Sequence, residues 1–387
     1  MDADVVIVGG GPAGAATALF CAYHRPGWAE RILLLDKARF PRDKICAGAI
    51  GGRADRALEA IGVAVDVPSV RIRGLSVETG AGSLAVRDRE TIGRVVRRRA
   101  YDAALLDRVR EAGVVVRQGV ALTDLHRSAR GVRLSTTAGE LSTRAVVGAD
   151  GVGSRVRRAL GVLRGPYHAQ AIEVDTPLRR DDPPLDDLHF DVTDSACPGY
   201  AWDFPTLVDG RVMMCRGVYQ LTRGAGPAGA DVATILRERL LRQGLDPACA
   251  PTRRFAERGL SLHQPTRFDR ALLVGEAAGI DPVLGEGIAQ AVLYGATAGA
   301  FLAESSRRDD WTMRGFDSVL RRSRVGIDLR LRAAMTRIIY GRPRPVVERW
   351  VSCSTALARG GMAYFAGRRV PRLSLVRAGW DLVASLR

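Results

Sequence analysis

The sequence DVVIVGGGPAGAATALFCAYH, residues 4–24, decides the fold. The run 4–8 is short, apolar and β-branched, as a buried strand is, and the alanine-rich run 13–23 is typical of a helix. A second apolar run, ILLL at 32–35, ends at Asp36. Strand, glycine-rich turn, helix and strand in this order predict a βαβ unit whose parallel strands are covered on both faces.

The glycines of the turn are spaced as GxGxxG, at Gly9, Gly11 and Gly14. This spacing permits a tight turn, a close backbone approach to a pyrophosphate and close packing of the helix on the strand. The helix start presents unpaired N–H groups and its positive dipole end to an anion. Asp36 follows Gly14 by 22 residues, where a carboxylate can bind a ribose. The pattern favours a dinucleotide site over an empty turn, with these candidate contacts: Gly9, Gly11, Pro12, Ala13, Gly14, Asp36 and Lys37.

Two later segments repeat the sequence of a strand, a glycine-rich turn and a helix start. They are GADGVGSRVRR at 148–158 and LLVGEAAGIDPVLGEGI at 272–288. A second helix start suits a second anionic region of a cofactor, a ribityl chain or the N1/O2 side of a reduced flavin. The candidate cofactor contacts in these segments are Asp150, Gly151, Gly275, Glu276, Gly285, Gly287 and Ile288.

Together the three segments resemble the GxGxxG, DG and GD motifs of the FAD-dependent oxidoreductases of the aromatic-hydroxylase-like (group A flavoprotein) superfamily. The resemblance covers residues 4–306 and departs at Glu276, where that superfamily usually has aspartate. The segment RRRAYDAALLDRV, 97–109, is similar to its Arg-x-x-(Phe/Tyr)-Asp helix start. The resemblance implies FAD as cofactor and a contact of Arg98 with the FAD pyrophosphate; the alternative is a solvated basic helix.

An aromatic stripe occurs in PGYAWDFPTLVDG, residues 198–210. Residues two apart on a strand share one face, so Tyr200, Trp202 and Phe204 would form an aromatic wall. Such a wall suits an elongated apolar substrate, and the alternative is an ordinary sheet core.

The stripe resembles the YxWxFP motif of the geranylgeranyl reductase family. KICAGAIGG at 44–52 is similar to that family's Lys-x-Cys-Gly-Gly-Gly segment but has Ala47 and Ala49, and PVLGEGI matches its Pro-x-x-Gly-Glu-Gly-Ile. The resemblance implies reduction of isoprenoid C=C bonds by hydride from reduced FAD. It makes Cys46 a candidate for gating or protonation beside the flavin, with a small buried apolar residue as the alternative. An alternative structural role for Glu286 is to cap the helix that follows it.

The resemblance also bears on the electron donor and on competing functions. The superfamily generally lacks a dedicated nicotinamide motif, which implies NAD(P)H bound transiently or a ferredoxin-like protein as donor. The same scaffold serves monooxygenases, which act on secondary metabolites through a C4a-hydroperoxide, as well as flavin oxidases and halogenases. A flavin-bearing binding or electron-shuttling protein is a third, non-enzymatic alternative.

The fold class predicted from this order is α/β, with a Rossmann-like FAD-binding domain built from separated segments and an inserted antiparallel-sheet substrate domain. The FAD-binding domain is expected at 1–70, 90–164 and 260–306, and the substrate domain at 71–89 and 165–259. Residues 307–387 form a basic helical region, with its helices broken at Pro343, Pro345 and Pro371.

The charge is concentrated at the C-terminal end. The chain has 58 basic and 42 acidic residues, and residues 307–387 alone hold 18 arginines against 6 acidic residues. Arginine-rich helices with tryptophans suit an anionic membrane surface, and the alternative is solvated helix faces. No nucleic-acid recognition motif accompanies the charge, so nucleic acid is not expected as a partner. We expect instead an apolar substrate, such as a prenylated compound or a lipid.

Cysteine and histidine usage argues against a metal site. The six cysteines contain no CxxC pair and the five histidines have no ligand spacing. Sparse cysteines favour a reducing compartment, so the expected location is cytoplasmic, or peripheral on the inner face of the membrane.

Overall fold

The structure is a computed structural model that describes residues 1–163, 165–194, 197–223, 231–248, 250–261 and 263–386. The strands in these ranges are β1 (Ala3–Val8), β2 (Ile32–Asp36), β3 (Ala49–Gly51), β4 (Ser69–Ile72), β5 (Gly74–Thr79), β6 (Gly82–Arg87), β7 (Gly93–Val96), β8 (Val115–Gln118), β9 (Leu122–Ser128), β10 (Gly131–Thr136), β11 (Gly139–Gly148), β12 (Tyr167–Thr176), β13 (Asp187–Val192), β14 (Gly199–Val208), β15 (Arg211–Arg223), β16 (Arg253–Arg258), β17 (Arg267–Phe268) and β18 (Ala271–Leu273).

The α-helices of the same ranges are α1 (Pro12–His24), α2 (Gly52–Glu59), α3 (Arg98–Glu111), α4 (Arg155–Ala159), α5 (Val232–Arg242), α6 (Ile288–Arg307), α7 (Phe316–Arg322), α8 (Arg324–Ile339), α9 (Arg344–Cys353), α10 (Thr355–Phe365) and α11 (Arg372–Ser385).

The first sheet contains the predicted βαβ unit. Its strand order is β17-β18-β11-β1-β2-β8, and all neighbours from β18 to β8 are parallel. Strands β9 and β10 extend it as an antiparallel meander on β11. Every residue of β2 is buried, as expected for a parallel strand inside an α/β sheet.

The second sheet has seven strands in the order β16-β12-β15-β14-β13-β5-β6. All its pairs are antiparallel except β13 with β5. A small third sheet, β3-β7-β4, joins segments near the first sheet's helices. The two large sheets and the helical C-terminal region confirm the predicted α/β class.

Helices α1 and α6 lie against each other because small residues line their contact. A Cβ built on Gly295 of α6 would lie 2.5 Å from the carbonyl oxygen of Ala13 in α1. Helix α1 begins within the GxGxxG motif, directly after Gly11, and α6 begins directly after Gly287. The two predicted anion-facing helix starts therefore belong to one packed pair.

The C-terminal helices begin at residues that the prolines only partly predict. Pro343 and Pro371 are the N-caps of α9 and α11, but Pro345 lies inside the first turn of α9, where its missing N–H costs nothing. Further breaks occur at Ser323 and Ser354, whose hydroxyls cap the next helix through N–H groups at 3.1 Å. Among the described helices, none has both the length and the hydropathy needed to cross a bilayer.

Candidate active site

The predicted cofactor segments meet at the carboxyl edge of the parallel sheet. The GxGxxG turn follows β1, Asp36 ends β2, Asp150 follows β11 and Gly275 follows β18. Ligands of open α/β sheets bind outside this edge, beside the strand where the direction of the connections reverses. That strand is β1, which has β2 on one side and β11 on the other.

The glycine turn is open to an anion. Gly9 adopts a φ of +112°, which side chains disfavour, and Gly11 is the N-cap of α1. Pro12 begins the helix, and Ala13 and Gly14 are buried behind the turn. No side chain in the described part of the protein caps α1, so its first N–H groups are available to a ligand.

Asp36 fixes the glycine turn to the end of β2. Its two carboxylate oxygens accept hydrogen bonds from the backbone N–H groups of Gly10 and Ala38, each at 2.7 Å. Each oxygen retains a lone pair for a further donor such as a ribose hydroxyl. Lys37, the next residue, is exposed at the surface.

A buried carboxylate, Asp102, pairs with two arginines near the turn. Arg98 donates from Nε and Nη2 to its two oxygens at 2.7 Å, and Nη2 of Arg42 lies 3.1 Å from Oδ2. The same Arg42 atom would lie 3.8 Å from a Cβ built on Gly11. Nη1 of Arg42 has no hydrogen-bond partner within the described ranges. The sequence motif predicts that Arg98 contacts the pyrophosphate. In the structure Arg98 is paired with Asp102, and Arg42 is the cationic side chain next to Gly11.

The motif segments after β1, β11 and β18 contact each other. Oε2 of Glu276 lies 3.1 Å from Nζ of Lys44 and would lie 3.6 Å from a Cβ built on Gly151. A Cβ built on Gly275 would lie 2.6 Å from that of Ala13 in α1. The side chain of Glu276 therefore lies at the junction of the three segments, paired with a lysine from the 44–52 segment.

The carboxylate of Asp150 already accepts hydrogen bonds from nearby residues of the same chain. It accepts hydrogen bonds from the hydroxyl of Ser154 and from the N–H of Arg155, the latter at 2.6 Å. Burial raises the pKa of Asp150, and these hydrogen bonds oppose that effect. The carboxylate thus shapes the start of α4 beside Gly151.

An apolar cavity of about 220 Å³ lies between the seven-stranded sheet, the 44–52 segment, the start of α6 and α10. It brings together both predicted substrate contacts and predicted cofactor contacts. Those on its wall are Cys46, Tyr200, Trp202, Phe204, Gly285, Gly287 and Ile288.

The aromatic stripe of β14 forms one wall of this cavity. The ring of Tyr200 stacks on that of Tyr219, with 5.2 Å between centroids, and Phe190 lies 5.3 Å from Tyr200 and 5.2 Å from Phe204. Trp202 lies over the neighbouring strand at Gly217, where a Cβ would overlap its indole. The stripe belongs to a hydrophobic core cluster and also lines the cavity. The two interpretations, a sheet core and an aromatic wall, are therefore compatible.

Three tyrosine hydroxyls hold the loop that precedes Gly285. Burial raises the pKa of all three, so each remains a neutral donor. The bonds run from Tyr200 to the carbonyl oxygen of Leu284 (2.5 Å), from Tyr219 to that of Pro282 (3.3 Å) and from Tyr340 to that of Val283 (2.5 Å).

Cys46 presents a thiol rather than a thiolate to the cavity. Burial raises the pKa of Cys46, and the positive charge of Arg98 opposes this. The N–H of Gly48 donates to its sulfur at 3.4 Å. Ala47 and Ala49, which stand where the related motif has glycine, also line the cavity, so their methyl groups narrow it.

Glu286 does not cap α6. The N-cap is Gly287, with no side-chain cap, and Oε2 of Glu286 lies 2.6 Å from Nη2 of Arg53 and 3.2 Å from Nη2 of Arg332. Two guanidinium groups attract the carboxylate away from the helix start. Glu286 therefore connects the beginning of α6 to α2 and α8.

Several cavity residues escaped the sequence reasoning. Glu257 and Phe255 alternate on β16, a period-two pattern in RRFAER that predicts a shared face. Met362 and Phe365 belong to α10, and no local pattern shows that this helix closes the cavity. Arg42 stands two residues before the Lys44 motif, and only its position beside Gly11 identifies it.

The residues present fit FAD, the cofactor implied by the motifs. The side-chain-free turn at Gly9 and Gly11 and the unpartnered Nη1 of Arg42 suit a pyrophosphate. The second uncapped helix start, at Gly287, borders the apolar cavity, as an electron-rich ring next to a substrate requires.

Comparison with known proteins finds an FAD-binding family and related reductases. Residues 2–310 match the FAD binding domain family. The chain is 29% identical over 342 residues to digeranylgeranylglycerophospholipid reductase 1 of Methanopyrus kandleri, covering 80% of this chain and 83% of that protein. It is 30% identical over 328 residues to geranylgeranyl diphosphate reductase of Rhodobacter capsulatus, covering 79% of this chain and 75% of that protein.

Among the solved structures that share this fold is one that matches over almost the full length of both chains. It is a geranylgeranyl bacteriochlorophyll reductase-like protein of Thermoplasma acidophilum, with a TM-score of 0.72 and 18% identity over 99% of this chain and 98% of that chain. At this identity the likeness shows a common fold.

Proposed function

The chain belongs to the geranylgeranyl reductase family of FAD-dependent oxidoreductases, and on that premise we propose that it reduces carbon–carbon double bonds in an isoprenoid chain. The two reductases it matches are named for a glycerophospholipid and for a diphosphate, and both names contain the geranylgeranyl group. The shared chemistry is an elongated, unsaturated hydrocarbon chain. We propose that this chain, rather than one particular head group, is what the enzyme recognises.

The apolar cavity is the observation that carries the proposal. Its wall combines the aromatic stripe at Tyr200, Trp202 and Phe204 with the loop from Gly285 to Ile288 and with Cys46. Alkene reduction needs a dry cavity that orders the chain and a proton source, and it needs no protein nucleophile. The aromatic rings would order the chain by apolar contact, and Cys46 would act as a small gating residue between chain and cofactor.

The chain's own residues would hold FAD in three places. Gly9, Gly11 and Arg42 would bind the pyrophosphate, and Asp36 a ribose. Arg98 would act there through Asp102, which also pairs with Arg42. The segments around Gly151, Gly275 and Glu276 would line the ribityl chain, and Gly287 and Ile288 the ring. Once reduced, bound FAD would supply the hydride.

The electron donor and the partner surface are further parts of the proposal. We propose NAD(P)H bound transiently, or a ferredoxin-like protein, as the donor. We also propose that α11 rests on an anionic membrane. Its Leu373 (82% exposed), Val376 (59%) and Trp380 (71%) lie on one exposed face, with Arg372 and Arg377 beside it. Exposed apolar and basic side chains on one helix match an anionic interface.

Anaerobic reoxidation of the reduced protein tests the reductase function. The protein is purified with FAD, reduced chemically without oxygen, and mixed with geranylgeranyl diphosphate or with a digeranylgeranyl glycerophospholipid. We expect the oxidised flavin absorbance to return with an unsaturated chain and not with its fully saturated counterpart. An equal return of flavin absorbance with the unsaturated and the saturated compound, or no return with either, would contradict the proposal.

A further inference from the structure

Glu257 is a carboxyl group of the cavity that no motif assigns. On β16, Phe255 and Glu257 line the cavity, whereas the intervening Ala256 is exposed. Oε2 of Glu257 would lie 2.5 Å from a Cβ built on Gly285, and the ring of Tyr219 would lie 2.9 Å from the same point. Gly285 has a φ of +63° and carries no side chain, so the carboxyl group reaches the loop that starts α6.

One oxygen of this partly buried carboxyl group has no partner among the described residues. Oε2 of Glu257 is shielded from solvent and accepts no hydrogen bond from the described residues. Among the other polar groups of the cavity, the hydroxyls of Tyr200 and Tyr219 donate to backbone carbonyls. Oε1 of Glu286 also has no hydrogen-bond partner among the described residues, but its Oε2 is paired with Arg53 and Arg332, whose charges oppose the rise in its pKa. A buried carboxylate without a partner is costly, so the neutral acid is favoured.

The negative charges around Glu257 also favour its protonated form. Burial raises the pKa of Glu257, and the negative charges of Glu276 and Asp281 raise it further. Lys44 opposes them, but its Nζ is paired with Glu276 at 3.1 Å. Together these effects favour the protonated form of Glu257. The other titratable groups in electrostatic contact with it have raised pKa values and are neutral too: Cys46, Tyr200 and Tyr219.

We propose that Glu257 is the catalytic acid that protonates the second carbon of the reduced double bond, an inference that rests on the proposed reductase function. One alkene carbon receives a hydride, with both electrons, from the reduced flavin, and the other carbon receives the Glu257 proton. The π bond is replaced by two C–H bonds. Glu257 remains as a carboxylate and regains a proton from water after the product leaves.

Glu257 is better suited to this step than the other proton carriers of the cavity. Burial raises the pKa of both Glu257 and Cys46, but a carboxylic acid starts from a much lower pKa than a thiol does. The tyrosine hydroxyls hold their protons in hydrogen bonds to the 282–284 loop. Proton delivery therefore falls to Glu257, and Cys46 keeps the gating role.

The test compares Glu257→Gln and Glu257→Asp with Glu173→Gln. Glu173 is a matched control because it is also buried with a raised pKa, but it does not line the cavity. All variants are loaded with FAD, and its affinity and visible spectrum are recorded. Infrared difference spectra at neutral pH then measure protonated carboxyl groups, and anaerobic reoxidation by geranylgeranyl diphosphate in H2O and D2O measures the protonation step.

We expect Glu257→Gln to bind FAD normally, to lose one protonated-carboxyl band and to reoxidise about 10²- to 10⁴-fold more slowly, with Glu257→Asp partly restored. The wild type should show a solvent isotope effect and place deuterium on one face of one carbon. Glu173→Gln should reoxidise like the wild type. Wild-type reoxidation in Glu257→Gln, or no lost band, would overturn the role of Glu257. If the wild type shows the protonated-carboxyl band but is not reoxidised by any isoprenoid, the proposed function itself would be overturned.

Discussion

The hydroxyl of Tyr200 donates a hydrogen bond to the carbonyl oxygen of Leu284 at 2.5 Å. Leu284 directly precedes Gly285, so a side chain of the aromatic stripe also positions the loop that starts α6. Under the proposed function, this bond links the substrate wall to the cofactor loop, and changes in either should affect both binding functions.

Tyr200→Phe keeps the aromatic ring but removes this bond. We expect a loss of about 1 kcal/mol in the free energy of unfolding of the FAD-loaded protein, together with weaker FAD binding. Denaturant unfolding and FAD titration measure the two effects. Tyr23→Phe is the control, because Tyr23 is 52% exposed on α1. Unchanged FAD affinity in Tyr200→Phe would show that the bond does not position the loop.

The two arginines on Asp102 should differ in what they support. Arg42→Gln should weaken FAD binding about 10- to 100-fold, because it removes a cation with an unpartnered donor beside Gly11. Arg98→Gln should mainly lower stability, by about 3 kcal/mol, because it breaks the two-bond pairing of a fully buried carboxylate.

Titration with FAD and denaturant unfolding separate these effects. The exposed Arg99 supplies the control variant Arg99→Gln, which should match the wild type in both. A larger loss of FAD affinity in Arg98→Gln than in Arg42→Gln would favour the direct pyrophosphate contact that the sequence motif predicts for Arg98.

Glu173 should make stability fall as the pH rises towards neutrality. Burial raises the pKa of Glu173 to about 7, although Nη2 of Arg253 lies 3.1 Å from it and opposes the shift. Between about pH 4.5 and about pH 7 the folded protein holds a proton that the unfolded chain has released. The stabilisation is complete below the unfolded pKa and is lost as the pH rises through the folded one, by about 3 kcal/mol.

Glu173→Gln should therefore flatten the pH dependence of the unfolding free energy across that window. Urea unfolding of wild type and variant at several pH values measures the difference. Glu140→Gln, at an exposed position on β11, should leave the profile of the wild type unchanged. Parallel profiles for Glu173→Gln and the wild type would contradict the raised pKa.

The exposed face of α11 should determine vesicle binding. Leu373→Gln with Trp380→Gln should abolish co-sedimentation with phosphatidylglycerol vesicles, and Arg372→Gln with Arg377→Gln should weaken it by about 1 kcal/mol for each arginine. Binding should fall with added salt and be weak on phosphatidylcholine. Vesicle binding that is equal on both lipids would exclude the electrostatic part of the interaction.

The sequence predicts the cofactor half of the site better than the substrate half. The turn at Gly9 and the acid at Asp36 are local features with fixed spacing, so pattern alone locates them. The Tyr200 stripe is also local, since period two defines one face of a strand. Contacts such as Lys44 with Glu276 join residues 232 positions apart, and only the folded chain reveals them.

Arg42 and Glu257 illustrate the same limit. Arg42 is one arginine among many in sequence, and its distinguishing feature is an unpartnered donor beside Gly11. Glu257 looks like a surface residue in RRFAER, and its role depends on the edge strand β16 facing the cavity. The closing of that cavity by α10 likewise depends on how the C-terminal helices pack.

The mass of the product formed from an isoprenoid most directly tests the reductase function. Reduced, FAD-loaded protein is incubated with geranylgeranyl diphosphate, once without oxygen and once in air, and the recovered chain is analysed by mass spectrometry. We expect a gain of two hydrogen atoms for each double bond reduced, with turnover in the absence of oxygen. A gain of one oxygen atom that depends on air would contradict the reductase function and identify a monooxygenase.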